Sequence, residues 1–444
     1  MGRRMDRRSF IKVTGAGAAA ASTGLAGILE SGRAPAYAQG TKLHIVRWVD
    51  FVPASDEVLK TKLIPDAQKA LGAEITLETI NANDIQPRAT AAISSRSGPD
   101  IFNMLHNWVQ LYAESVVDVS DLFESIGKAQ GGFYDAVNRQ TAGPGGKRLA
   151  IPHAIVGAMI AYRKSLFEEV GAKEFPKTWQ QYREVGKKLK AKGYPIGQTL
   201  GHTFGDAPTF SYTYLWSWGG KEVQQDGKTV AINSKETIES VKFMVGFWKD
   251  AFDEGGLAWD DSNNNRAFLS GTICATLNGA SIYIESLRNR EKYKTEKGAL
   301  MHTDIRHAPN PAGPAGAYLN HTTFHHAIMN YSKNQKLAKD FLRWLHAKEN
   351  YEHWFLSQKG FSVGPTTDWE KHKMWEQDPV MLPYRTGARA FRLFGWEGPP
   401  SRNATEAQTK YIITDMYAKA VQGMAPEDAV KWAEGQLREI YGKA

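Results

Sequence analysis

Leu43-His44-Ile45-Val46 and Ile75-Thr76-Leu77 are short apolar runs of strand character, and between them Asp56 to Leu71 carries apolar residues at helical spacing, interrupted by Pro65. Strand, helix and strand in that order predict a βαβ unit. A third strand is expected over Ile101 to Met104, introduced by the turn residues Ser97-Gly98-Pro99-Asp100, which also end the amphipathic helix before them. A parallel sheet flanked by helices follows from this beginning. Farther on, Thr178 with Gln181 forms a capping box opening a helix with Tyr182, Val185 and Leu189 on one face. Leu337, Phe341, Leu342 and Leu345 make a second apolar stripe, and Pro426 opens a last helix carrying Val430, Ala433, Leu437 and Ile440.

The first 38 residues read as an address rather than as fold. Asp6-Arg7-Arg8-Ser9-Phe10-Ile11-Lys12 is a twin-arginine signal, followed by a weakly apolar Ala/Gly-rich stretch and by the small-x-small pattern Ala36-Tyr37-Ala38. A mature chain beginning near Gln39, exported to the periplasm by the twin-arginine machinery, is expected. The absence of a cysteine in that segment predicts a protein free of a lipid anchor. The chain's net charge of +8 owes +4 to the six basic and two acidic residues of 1–38, leaving +4 spread over alternating charges. No basic block that would track phosphates is present, so nucleic acid is not an expected partner. The lone cysteine, Cys274, lies in the apolar run Ile273 to Leu277 and is expected to be a buried, inert thiol. Nothing marks a coiled-coil seam, and a monomer is the default.

Several segments, in order along the mature chain, carry a resemblance: Trp48-Val49-Asp50-Phe51, Gly98-Pro99-Asp100-Ile101, Ala150-Ile151-Pro152, Ala161 to Phe167, Pro176-Lys177-Thr178-Trp179, Phe268 to Gly279, and Lys336 to Leu345. Together they resemble the carbohydrate-binding family of extracellular solute-binding proteins, the maltose-binding-protein-like substrate carriers of ABC importers. The resemblance implies an α/β fold of the periplasmic-binding-protein type II kind: two lobes with central, mainly parallel sheets, three crossings forming a hinge, and a ligand cleft between the lobes. On this reading residues 39–150 plus 278–326 form the N-terminal lobe and 151–277 plus 327–444 the C-terminal lobe. The chain departs from the family pattern at Arg163, which stands where the family has Asn, at Thr276 or a neighbour in the return strand where the family has Met, and at Ala280-Ser281 after the Asn-Gly turn.

A sugar offers hydroxyls, which need planar polar partners, and C–H faces, which suit aromatic rings. Trp48 and Asp50 follow the first strand, the ring placed to stack on a ligand and the carboxylate to accept from hydroxyls; the other reading is a core Trp beside a turn Asp. His106, Asn107 and Trp108 follow the third strand, where the family places ligand contacts. Phe210, Tyr212, Tyr214, Trp216 and Trp218 alternate strictly, either as one face of a strand or as rings distributed around a helix, and Trp216 is the one assigned to the cleft. Asn278 and Ser281 sit at the second crossing. Trp396 and Arg402 bracket a Gly/Pro loop, with Arg402 either forking onto the ligand or bonding a loop carbonyl. His321, His325 and His326 have a spacing that could grip zinc from a helix, but the run Tyr318 to Met329 resembles a crossing. His321 is therefore assigned to ligand hydrogen bonding, and no metal or cofactor is expected.

These residues predict a periplasmic carrier that closes on a sugar or polyol and hands it to the membrane permease. Two rivals stand beside it. An exported carbohydrate-cleaving enzyme would need two carboxylates flanking a sugar bond, with Asp50, Asp206 and Glu285 as candidates, yet no catalytic motif surrounds them. A carrier for a metal, polyamine or glycerol phosphate ester would use the same fold, polyamines favouring a strongly acidic aromatic cleft.

Overall fold

The computed structural model of the protein describes residues 41–442. The twin-arginine segment, residues 1–38, lies outside the described residues. β1 (Lys42–Trp48) and β2 (Glu74–Ile80) pair in parallel, from Lys42 opposite Glu74 to Trp48 opposite Ile80. The helical segment between them is α-helical over Pro53–Val58 and Ile64–Leu71, joined by a π turn over Leu59–Leu63. The Ile64 N–H reaches the Leu59 carbonyl, one residue farther than in an α-helix. This widening sets Pro65 in the first turn of a new helical piece, where its missing N–H belongs to the donors left unpaired anyway, so the proline does not break the helix. β3 (Ile101–Leu105) joins the other side of β1, also in parallel. Asp100 anchors that junction: its carboxylate accepts from the His44 N–H at 2.8 Å and from Ser332 Oγ at 2.5 Å.

β4 (Ile151–Val156) leads through only Gly157-Ala158 into β5 (Met159–Arg163), which opens a second sheet with β6 (Ala275–Asn278) and β7 (Ile305–Ala308). β8 (Thr322–Ile328) returns to the first sheet, and β9 (Ser362–Val363) closes its edge. The six-stranded order is β2-β1-β3-β8-β4-β9 and the three-stranded order β6-β5-β7. The expected mainly parallel character holds for β2-β1-β3. β8 is antiparallel to β3 and β4, β9 to β4, and β5 to both β6 and β7. The cause is connectivity: parallel neighbours need a helical crossover, whereas strands that leave and re-enter a sheet through one hinge must run in opposite directions.

Two apolar cores form, the first joining the six-stranded sheet with Met159, Ala161 and Ile305 of the second, and sheet order and cores together place several segments differently from the expected boundaries. Ala150-Ile151-Pro152, expected as the first crossing, lies within the six-stranded sheet, and the chain crosses at Gly157-Ala158. Residues 278–326, expected wholly in the N-terminal lobe, include β7, which pairs with β5 in the second sheet. Residues 327–444 were expected in the C-terminal lobe, but Leu337, Phe341, Leu342, Leu345, Tyr351, Trp375 and Ala388 all pack in the first core, and the second core resumes at Phe394. The reason is β8. Inserted between β3 and β4, it offers an apolar face that the stripe of helix Gln335–Leu345 covers.

The Asp206–Trp218 segment is a helix, so its alternating aromatics point around the axis instead of to one face. Phe210, Tyr212, Tyr214 and Trp216 are all buried in the second core, as fits a helix apolar on every side. Cys274 is buried, its Sγ donates to the Tyr194 carbonyl at 3.1 Å, and burial pushes its thiol pKa far up, which makes it inert.

Arg163, where the resemblance expects Asn, is fully buried at the end of β5. Its Nε donates to Asp304 at 2.6 Å and its Nη2 to Glu296 at 2.7 Å, tying β5 to the approach to β7. Asp304 also accepts from the Ser165 N–H and Oγ, both at 2.7 Å. Replacing Arg163 by Ala would leave Asp304 charged and enclosed without its cation. The expected loss is about 3 kcal/mol of unfolding free energy, measured by urea denaturation, with Arg163→Lys recovering only part because it cannot fork onto two carboxylates.

Candidate functional site

The ends of the two sheets meet over a small cavity of about 30 Å³. Trp48, the last residue of β1, forms its aromatic wall: the indole stacks on Phe324 of β8 at 4.6 Å and more loosely on Phe361 at 6.4 Å. Phe51 and Phe204 meet it edge-on at 5.4 and 6.1 Å. Only 3% of Trp48 is exposed, so the ring is fixed by its neighbours and presents a rigid face to the cavity.

The opposite, polar wall comes from the second lobe and the second crossing. Asp261 holds the turn before helix Asp206–Trp218, its carboxylate accepting from Thr203 Oγ1 at 2.7 Å and from the N–H groups of Gly205 at 2.9 Å and Asp206 at 2.7 Å. Gly205 is required here, since a Cβ would stand 2.9 Å from Asp261 Oδ2. Asp206 Oδ2 accepts from Asn264 at 2.6 Å and from Asn278 at 3.4 Å. Asn278 also donates to Asn265 at 2.6 Å, and Ser281 Oγ donates to Asn278 Oδ1 at 2.9 Å. Burial pushes the Asp261 carboxyl up to about 6. Burial first, and then the neighbouring Asp261 charge, holds Asp206 well above the usual carboxylate range. The residues lining the cavity include no Lys, Arg or His. The arrangement offers an aromatic face for C–H groups and a chain of Asp, Asn and Ser groups for hydroxyls.

Of the residues proposed from sequence, Trp48, Asn278 and Ser281 line this cavity. The others do different work. Asp50 is buried in a structural network: it accepts from the Val52 N–H at 2.9 Å and Gln358 Nε2 at 2.9 Å and pairs with Arg47, which also binds Asp56. Both carboxylate oxygens are engaged in these bonds, and Asp50 does not line the cavity. His106, Asn107 and Trp108 bridge directly to the second lobe. His106 Nε2 donates to the Phe204 carbonyl at 3.0 Å, Asn107 Nδ2 to the Phe394 carbonyl at 3.1 Å, and Trp108 Nε1 to Gln408 at 3.3 Å. Trp216 is core, packed edge-on against Trp396 at 6.2 Å. Trp396 itself is covered by the Arg392 guanidinium, 3.3 Å from its ring centre, and does not reach the cavity. Arg402 is exposed and bonds the Leu111 carbonyl at 3.2 Å, the loop-carbonyl alternative.

His321 is a hinge pin. Its Nδ1 accepts from the Ala158 N–H at 3.1 Å, in the first crossing, and its Nε2 donates to the Gly387 carbonyl at 2.9 Å. Burial pulls its pKa down to about 4, so it is neutral, with both nitrogens engaged and none left for a ligand. His325 and His326 lie on strand β8, where successive side chains point to opposite faces, which excludes the helical zinc grip.

The sequence reading passed over Phe204, Asp261, Phe324, Phe361 and Thr322, all of which line the cavity. One signal was available for Asp261: the run Asp260-Asp261-Ser262-Asn263-Asn264-Asn265 is unusually rich in side-chain acceptors between apolar segments. Asp206 was weighed only as a hydrolytic carboxylate. It stands on the same wall as Asp261 and not across a substrate from it.

The family model described as bacterial extracellular solute-binding protein matches residues 54–352. The diacetylchitobiose binding protein DasA of Streptomyces coelicolor is 27% identical over 403 residues, covering 87% of each chain. A probable ABC transporter-binding protein of Deinococcus radiodurans is 22% identical over 362 residues, covering 78% of this chain and 81% of that one. Among solved structures, maltose-bound MalE3 of T. maritima superposes with a TM-score of 0.75 at 21% identity, covering 90% of this chain and 100% of that one. A solute binding protein of Thermotoga lettingae bound to alpha-D-tagatose also gives 0.75, at 18% identity, over 91% of this chain and 100% of the other.

Replacing His321 by Ala would orphan the Ala158 N–H and the Gly387 carbonyl together. The expected cost is about 2–4 kcal/mol of unfolding free energy by chemical denaturation. Unchanged stability with lost ligand binding would instead return His321 to the role of ligand contact.

Proposed function

Because the chain belongs to the bacterial extracellular solute-binding protein family, we propose that it is the substrate-binding component of an ABC importer, capturing a sugar or related polyol between its lobes and delivering it unchanged to the permease. The observation that carries this reading is the cavity at the lobe junction, with the Trp48 face on one side and Asp206, Asn278 and Ser281 on the other. DasA and MalE3, whose names specify a chitin disaccharide and maltose, support a carbohydrate as ligand. A cleaving enzyme fits the site less well, since Asp261 has its oxygens taken by three donors and shares a wall with Asp206.

The cycle rests on the difference between open and closed forms. The bonds from His106, Asn107 and Trp108 to Phe204, Phe394 and Gln408 join the lobes directly, and the ligand reaches the cavity only when they part. A ligand touching Trp48 on one lobe and Asp206 on the other finds both only in the closed form, and that difference in affinity drives closure. The twin-arginine segment supports export of the folded chain to the periplasm and processing near Gln39. Among the described residues no helix is long and apolar enough to cross a membrane.

Thermal unfolding of residues 39–444 against sugars, polyols, phosphate esters and polyamines tests the assignment. A ligand at a hundredfold its Kd adds about 2.7 kcal/mol to the folded state. A sugar or polyol is expected to raise the melting temperature and to be recovered intact. Trp48→Ala and Asp206→Ala should each abolish the rise, and Arg402→Ala should keep it. Cleavage of the ligand, or a response confined to polyamines or phosphate esters, would contradict the proposal.

A further inference from the structure

Away from the ligand cavity, three histidines from separate parts of the chain converge in the first core. His153 lies on β4 where the register shifts between Pro152 and Ala154, an irregularity that turns its side chain out of the regular alternation. His326 lies on β8, paired with Ile151 on one side and Asn103 on the other. His346 caps the C-terminus of helix Gln335–Leu345. The rings of His153 and His326 are 4.4 Å apart, and that of His346 lies 5.4 and 6.0 Å from them. One nitrogen from each ring lies within 4.8 Å of the other two. The three residues are 2%, 4% and 2% exposed, yet His153 Nδ1, His326 Nδ1 and His346 Nε2 have no hydrogen-bond partner.

We propose that His153, His326 and His346 bind one transition-metal ion of the zinc class, at a structural site buried beneath the six-stranded sheet and separate from the ligand cavity. A buried imidazole nitrogen left unpaired costs about 1–3 kcal/mol, and a single cation among the three rings would engage one nitrogen of each. An all-imidazole set suits zinc, copper or nickel, and disfavours calcium and magnesium, which take oxygen ligands. Zinc–nitrogen bonds of about 2.0–2.1 Å place ligand nitrogens about 3.3 Å apart, so these nitrogens, within 4.8 Å of one another, draw together by up to about 1.5 Å on binding. The cation near the cluster is Arg47, and its charge is already met by the Asp50 and Asp56 carboxylates, so the surroundings are not net positive before the metal arrives. The reading differs from the sequence expectation of no metal. His326 alone of the three histidines weighed there takes part, joined by two residues distant in the chain.

The test uses untagged full-length protein, unfolded with chelator and refolded with Co²⁺ or Zn²⁺ as probe. One ion retained per chain by elemental mass spectrometry is expected, with a cobalt visible spectrum and an X-ray absorption edge showing nitrogen-only, imidazole coordination. His326→Gln and His346→Gln should each weaken retention at least about tenfold, and His325→Gln, on the opposite face of β8, should leave it unchanged. Wild-type protein that refolds without stoichiometric metal overturns the proposal, as does equal retention in the His326 and His346 variants. Should those variants fail to fold, the wild-type absorption spectrum still decides: an oxygen-rich or sulfur-containing shell rules out the three-histidine site.

Discussion

Gly157-Ala158 is all that separates a strand of one sheet from a strand of the other, and the structure is organised by the constraint this short crossing imposes. A chain that leaves one lobe through so narrow a passage must return beside itself, which makes β4 antiparallel to β8 and β5 antiparallel to β6. It also fixes where the lobes touch. His321 binds the crossing at the Ala158 N–H and the later chain at the Gly387 carbonyl, so three distant segments turn about one imidazole. Glycine at 157 and 279 belongs to the same constraint, since a Cβ at either would press within 2.7 Å of Tyr384 or Phe361.

The cavity follows from that geometry. Strand β1 ends at the junction and delivers Trp48, the second crossing delivers Asn278 and Ser281, and the start of helix Asp206–Trp218 delivers Asp206. No single element could form the site, because its lining residues come from both lobes and the crossing between them. Closure therefore depends on contacts that span the junction, and the bonds from His106, Asn107 and Trp108 supply them without touching the cavity.

Local patterns made the fold legible to different depths. The βαβ beginning, the capped helix at Thr178 and the stripe from Leu337 to Leu345 are periodic signals, and each appears as read. Which sheet that stripe covers is a matter of strand order, and spacing carries no information about it. Trp48, Asn278 and Ser281 line the cavity from strand ends or crossings, positions that sequence order reveals. Asp50 and His321 sit at such positions too. Their partners, Arg47 and Gln358 for one, Ala158 and Gly387 for the other, consume their polar groups, and only the folded chain brings those partners near. Phe324 reaches the cavity from β8 and Phe361 from the bend just before β9, elements whose neighbours were not predictable, and Trp216 packs in the core because its segment is helical.

Lobe closure about the His321 junction is the central claim, and small-angle X-ray scattering tests it most directly. The radius of gyration of residues 39–444 should fall when a saturating ligand is added, because the ligand bridges Trp48 and Asp206 only when the lobes are together. An unchanged radius at saturation would contradict the account, for it would mean that the ligand binds without drawing the lobes together.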